Sequence, residues 1–172
     1  VELAFKPGRV APEVPELIAD IAEEWGDARY AIELLCKAGM AADEERSEEV
    51  GAEHARAAKA HTHSIVTDGK LRDLDIQKML VLLSCSRALK KEAYAATGVI
   101  EARYTVACEE YEEEARKHTQ FWKYMKDLEA LGLIDTKVSH GKGGTTTLVT
   151  LRDIPAKVLE EKLVSIIEEG RK

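Results

Sequence analysis

The 172-residue chain has no run of about 18 apolar residues, so no segment is expected to cross a membrane as a helix. It lacks a basic-then-apolar leader, and nothing in its first residues marks it for secretion. It opens on Val1, in mid-pattern, as a fragment of a longer protein would. Cysteine is scarce: Cys36, Cys85 and Cys108 are odd in number and scattered through helical apolar patterns. That excludes a disulfide framework and a zinc site, and predicts buried thiols in a reducing cytoplasm. Positive charge is also in deficit, with a formal net charge of −7, which argues superficially against a polyanionic partner.

What is present is ordinary globular material. Hydrophobic residues make up 45% and charged residues 33%, enough to build one large core or two small ones. The charge is uneven. Dense acidic clusters lie at Asp43–Glu53 and Glu109–Glu114, whereas Lys117–Thr147 is net basic through Lys117, Lys123, Lys126, Lys137 and Lys142. Local sign matters more than total charge for binding nucleic acid, so the deficit predicts a small footprint rather than none.

After an opening loop, apolar positions at Leu17, Ile18, Ile21, Ala22 and Trp25 predict a helix from Val14, with Pro15 in its first turn. Gly26 should break it and Asp27 cap the next helix, whose expected inner face is Ala28, Ala31, Ile32, Leu35 and Ala38. An alanine-rich helix is predicted from about Ala52 to Ile65, completing a small bundle. Thr67-Asp68-Gly69 is a turn signal and a candidate domain boundary.

Beyond it a long helix is predicted over Leu71–Lys91, with Leu74, Lys78, Val81, Leu82, Cys85 and Leu89 in register. Thr97-Gly98 reads as a turn, followed by helices over Glu101–Ala115 and Thr119–Leu131. The pattern then changes to strands at Leu133–Ser139 and Thr145–Leu151, joined by Gly141-Lys142-Gly143-Gly144. A last helix starts at Pro155 with Val158, Leu159, Leu163 and Ile166 inward. Three helices, a hairpin and a closing helix describe a winged helix. The expected class is therefore mainly α, with a helical bundle at residues 1–67 and a winged helix at 68–172.

In a helix-turn-helix the second helix enters the major groove. Over Thr119–Leu131 the residues Phe121, Tyr124, Met125, Leu128 and Leu131 should face the core. Thr119, Gln120, Trp122, Lys123 and Lys126 are left as the candidate duplex-facing surface. A tryptophan among lysines would lie against sugar or base, with the lysines on phosphates. The hairpin tip adds Ser139, His140, Lys142, Thr145 and Thr146, where glycines permit close backbone approach to phosphate.

Catalytic signals are missing. Neither Gly141-Lys142 nor Gly69-Lys70 sits in a Gly-x4-Gly-Lys-Ser/Thr loop, so no complete ATP site is expected. His54, His61, His63, His118 and His140 have no metal-ligand spacing and are expected to be solvent-exposed. No carboxylate pair or activated nucleophile stands out, and no catalytic or metal residue is assigned.

Phe5-Lys6-Pro7-Gly8, a helix, and Gly26-Asp27-Ala28-Arg29 leading into Ala31-Ile32-Glu33-Leu34-Leu35 resemble the lid of archaeal origin-recognition initiators of the Orc/Cdc type, which are AAA+ ATPases. The likeness continues through Glu53-His54-Ala55, Gln77–Leu83, Leu128–Ile134 and Asp153-Ile154-Pro155. It implies that Arg29 is the sensor 2 residue, reaching the γ-phosphate of ATP held with Mg by the ATPase core of the full-length protein. It further implies a nucleoid-associated initiator that binds origin duplex DNA and works with the replicative helicase and other initiator subunits. The match has departures. Arginines common at the start of the family's recognition helix are replaced by Thr119, Gln120, Phe121 and Trp122, and the wing holds a single lysine. That favours modest base specificity or readout of DNA shape. Two other readings fit the residues alone: a winged-helix transcription regulator, and a protein-docking winged helix with Trp122 as its hot spot.

Overall fold

Two apolar clusters organise the chain, each built by a different kind of side chain. The computed structural model describes residues 5–23, 28–60, 68–141, 144–151 and 153–171. Expectations for Trp25, Gly26, Asp27, His61, His63, Ile65, Thr67 and Lys142 fall outside them.

The first cluster joins α1 (Val14–Glu23), α2 (Ala28–Glu44) and α3 (Ala52–Ala60). α1 buries Val14, Leu17, Ile18, Ile21 and Ala22, as its spacing predicts. α2 does not follow its expected face. Its buried stripe is Leu34, Ala38 and Ala42, while Ala28 is exposed and Ile32 is 68% exposed. Small side chains let helices approach closely, so the alanines of α2 pack on Ala52, Ala55 and Ala58 of α3. The bulkier Ile32 and Met40 are left on the flank. The opening loop returns to this bundle, with Phe5 seated where Gly39 has no side chain; a Cβ there would lie 2.9 Å from the ring. Val10 bridges Val50 in parallel, tying the loop to the α2–α3 connection.

α2 ends on a left-handed residue, Arg46 at φ 53°, with Ser47 N–H donating to Ala42 O at 2.8 Å. This is the helix C-terminus that glycine normally fills, because a Cβ is strained there. Arg46→Gly should raise stability by about 0.5–1 kcal/mol, the relief of strain slightly exceeding the added unfolded-state freedom. A shift in urea midpoint with unchanged slope would register it.

The second cluster surrounds α5 (Ile76–Leu89). The helix expected over Leu71–Lys91 is in fact broken, with α4 (Asp68–Arg72) separated from α5 by an N-cap at Asp75. The Asp75 carboxylate accepts the Lys78 N–H at 2.9 Å, and this local bond competes with helix continuation. From Met79 to Ser86 every residue of α5 is buried, because helices and sheet enclose it.

Thr97 and Gly98 form the first turn of α6 (Thr97–Glu110) rather than a turn before it. α6 stops five residues short of Ala115, at a left-handed Glu112 whose neighbour Glu113 donates to Cys108 O at 2.8 Å. α7 (His118–Ala130) follows and ends at Gly132, φ 69°. There Leu133 N–H returns to Leu128 O at 3.0 Å and turns the chain directly into β2. Leu131, expected inward, is exposed.

β2 (Asp135–Gly141) and β3 (Gly144–Thr150) form the antiparallel wing, with Gly141 opposite Gly144. A third strand, β1 (Ala95–Ala96), was not expected; it pairs with β3 to give the order β1-β3-β2. α8 (Ala156–Gly170) closes the cluster through Leu159, Leu163, Ile166 and Ile167, leaving Val158 exposed on the opposite side.

The chain is thus mainly helical, with a lid-like bundle followed by a winged helix. Cys85 and Cys108 are buried thiols as expected, and burial pushes Cys85 up to about 12. Cys36 is exposed instead, on the outer side of α2. His54 is buried, contrary to expectation, with its Nδ1 accepting the Gly51 N–H at 2.9 Å. His118 and His140 are exposed.

Candidate nucleic-acid interface

α7 is anchored from beneath. Phe121, Met125 and Leu128 are fully buried, and the Phe121 ring lies 5.6 Å from that of Tyr104 on α6. This fixes the opposite side of the helix, where Thr119, Lys123 and Lys126 are exposed and Gln120 is half-buried. Trp122 departs from its expected position. It is half-buried against the winged-helix core, edge-on to His118 with centroids 6.3 Å apart. Part of its indole therefore packs on apolar residues and part stays accessible.

The basic stretch is thinner in three dimensions than in sequence. Lys126 pairs with Glu129 at 2.7 Å, and Glu129 also accepts from the Thr136 hydroxyl. Lys137 is turned away altogether, bonding Glu16 at 2.7 Å and Asp20 at 3.0 Å on α1, with its ammonium 3.7 Å above the Tyr94 ring. Burial alone would lower its pKa, but hydrogen bonds to Glu16, Tyr94 and Asp20 raise it well above the usual lysine range. Lys117 and Lys123 are left exposed with no ion pair among the described residues. In the wing, Ser139 is half-buried, while His140, Thr145 and Thr146 are exposed. Ser139 is opposite Thr146 and His140 opposite Thr145, the latter pair within hydrogen-bond distance at 3.1 Å.

The turn that aims α7 is held by a pair that sequence reading did not single out. The buried Tyr104 hydroxyl donates to Gln77 Oε1 and accepts the Arg116 N–H at 3.0 Å. Gln77 Nε2 donates to the Glu113 carboxylate at 3.2 Å and to Glu114 O at 3.4 Å. Burial pushes the Tyr104 phenol up to about 12, so it stays a neutral donor. The available signal was Gln77 itself, an amide in the apolar run of α5. Tyr104→Phe removes the hydroxyl and strands one acceptor and one N–H. It should cost about 1–3 kcal/mol and loosen residues 113–117, seen as faster amide exchange there with α5 unchanged.

Arg29 is exposed in the first turn of α2. Among the described residues no cluster could hold a metal ion, and no helix is long and apolar enough to cross a membrane.

Residues 69–161 match the family model of the CDC6 C-terminal winged-helix domain, and residues 1–60 match that of the Cdc6 AAA+ ATPase-type lid domain. ORC1-type DNA replication protein 2 of Sulfurisphaera tokodaii is 37% identical over 161 residues, covering 87% of this chain and 38% of the relative. The putative ORC1-type DNA replication protein 1 of Thermoplasma acidophilum is 31% identical over 157 residues, covering 90% and 44%. Among solved structures, Cdc6p from Pyrobaculum aerophilum superposes with a TM-score of 0.83 at 28% identity, covering 97% of this chain and 45% of that one. The Aeropyrum pernix ORC1 protein in complex with DNA gives 0.54 at 30% identity, covering 99% and 44%. The chain spans less than half the length of each of these proteins. With both halves matched in order, the chain belongs to the Cdc6/ORC1-type family of AAA+ replication proteins, and its residues correspond to that family's lid and winged helix.

Proposed function

We propose that this chain binds origin duplex DNA as part of a replication initiator, with the lid at residues 1–67 and the DNA-binding domain at 68–172. The observation that carries this is α7: three fully buried anchors hold one face, while Lys123 is exposed on the other with no ion pair among the described residues. Inserted in the major groove, α7 would place Thr119, Gln120 and Lys123 toward the duplex, with Lys126 and Trp122 at the rim. The wing would bring Ser139, His140, Lys142, Thr145 and Thr146 to the adjacent minor groove. The DNA complex of the Aeropyrum relative supports this reading. Few free cations and no arginine on α7 favour a small footprint with shape-based rather than base-by-base recognition.

In the full-length protein, Arg29 would contact the γ-phosphate of ATP bound with Mg by the AAA+ core, making the lid sensitive to nucleotide state. No catalytic step is assigned to the residues of this chain. Other initiator subunits and the replicative helicase are the expected protein partners, in a cytoplasmic, nucleoid-associated setting. A titration into labelled duplex compares wild type with Lys142→Glu and Trp122→Ala. Lys142→Glu should weaken binding markedly and Trp122→Ala only modestly. Undiminished binding by Lys142→Glu would remove the wing from the interface.

A further inference from the structure

Glu53 and Arg56 lie one turn apart on α3, and both side chains leave the lid for the winged helix. Arg56 is fully buried with an acceptor for each of its N–H groups. Nε donates to Leu151 O at 2.9 Å, and one terminal nitrogen donates to Leu89 O at 2.8 Å and to the Glu53 carboxylate at 2.8 Å. The other donates to the carbonyls of Glu92 at 2.9 Å and Ala93 at 3.1 Å. These carbonyls belong to the residue after β3, the last turn of α5, and the α5–β1 connection. Glu53 meanwhile accepts the N–H groups of Ala156 at 2.9 Å and Lys157 at 3.0 Å, which open α8.

Each charge meets the helix end that suits it. The guanidinium takes an orphan carbonyl in the last turn of α5, Leu89 O, and two more just beyond it, and the carboxylate faces orphan N–H groups at the N-terminus of α8. One turn of α3 therefore caps opposite poles of two winged-helix helices. An interface of alanines alone could slide, whereas a planar fork bonded to fixed carbonyls permits one orientation. Ala93, in the α5–β1 connection, is itself buried in the lid cluster. At the surface Lys137 of the wing is clamped by Glu16 and Asp20 of α1.

The geometry points to Glu53 and Arg56 as positioning residues that make lid and winged helix one cooperative body. The orientation of α7 is thereby fixed relative to Arg29 on α2. The consequence for DNA rests on the proposed binding reading; the cooperativity does not.

Urea unfolding of the chain, read by hydrogen exchange on peptides from α2 and from α8, tests it. Wild type should lose protection in both at one urea concentration. Arg56→Ala should separate the two midpoints, Glu53→Gln should separate them less, and Arg56→Lys should restore part of the coupling. Lys137→Ala, at the surface, should leave them together. A merely structural role would lower both midpoints together, and that result, or no shift, overturns the proposal. If Arg56→Ala fails to fold, Glu53→Gln decides by the same criterion. A parallel duplex titration keeps the two ideas apart: absent binding in wild type sinks the DNA reading and leaves the split intact.

Discussion

Phe121→Ala should cost about 3–5 kcal/mol and abolish duplex binding by unfolding the domain rather than by removing a contact. The ring is fully buried between α7 and Tyr104 and belongs to the same cluster as Met125, Leu128 and Leu83. Truncation leaves a ring-sized cavity in an interior packed as tightly as a crystal. Native stabilities are only about 5–15 kcal/mol, so a loss of this size reaches the threshold of folding. Urea unfolding should show the drop, and whatever protein remains folded should bind DNA normally. Binding lost at full fold would move Phe121 from the core to the interface.

Lys123→Glu should do the reverse. Lys123 is exposed on the side of α7 opposite its buried anchors Phe121, Met125 and Leu128, and makes no ion pair among the described residues. Reversal should leave the unfolding midpoint within about 0.5 kcal/mol of wild type. Duplex affinity should fall roughly ten-fold, and the slope of log affinity against log salt should shrink by about one, as expected for one lost phosphate contact. Lys137→Glu is the informative contrast. Its partners are Glu16 and Asp20 rather than solvent, so reversal should disturb the contact with α1 and leave the salt slope unchanged.

The elements most legible in the sequence were those with large side chains in strict period. Leu17, Ile18 and Ile21 define α1, Phe121, Met125 and Leu128 define the inner face of α7, and both wing strands follow from their β-branched residues and glycine-rich connection. The buried face of α2 departs from its sequence pattern because alanine is at home on either face of a helix; the burial of Ala38 and Ala42 is decided by α3, not by α2. The break at Asp75 was hidden because apolar residues continue in register across it. β1 is two alanines with no intrinsic strand preference, and it exists only because β3 offers a free edge.

The same limit applies to the site. Exposed positions on α7 follow from helical geometry, but which lysines remain free depends on acids far away in the chain. Lys137 finds Glu16 across 121 residues and Arg56 finds Leu151 O across 95, separations at which local pattern carries no information. Glu53 reads in sequence as the end of an acidic cluster and His54 as one of five histidines without ligand spacing; the bonds of Glu53 to α8 span more than a hundred residues, and that of His54 to Gly51 gives no pattern signal.

A small, partly neutralised cationic surface on α7 and the wing is proposed to grip duplex DNA. Its most direct test is a titration of the wild-type chain into labelled duplex at several salt concentrations from about 50 mM upward, where phosphate contacts are strong. Binding should be micromolar or tighter, its logarithm falling linearly with log salt at a slope of only a few released ions. Absence of salt-sensitive binding at the lowest salt would contradict it and make the winged helix a protein-docking module.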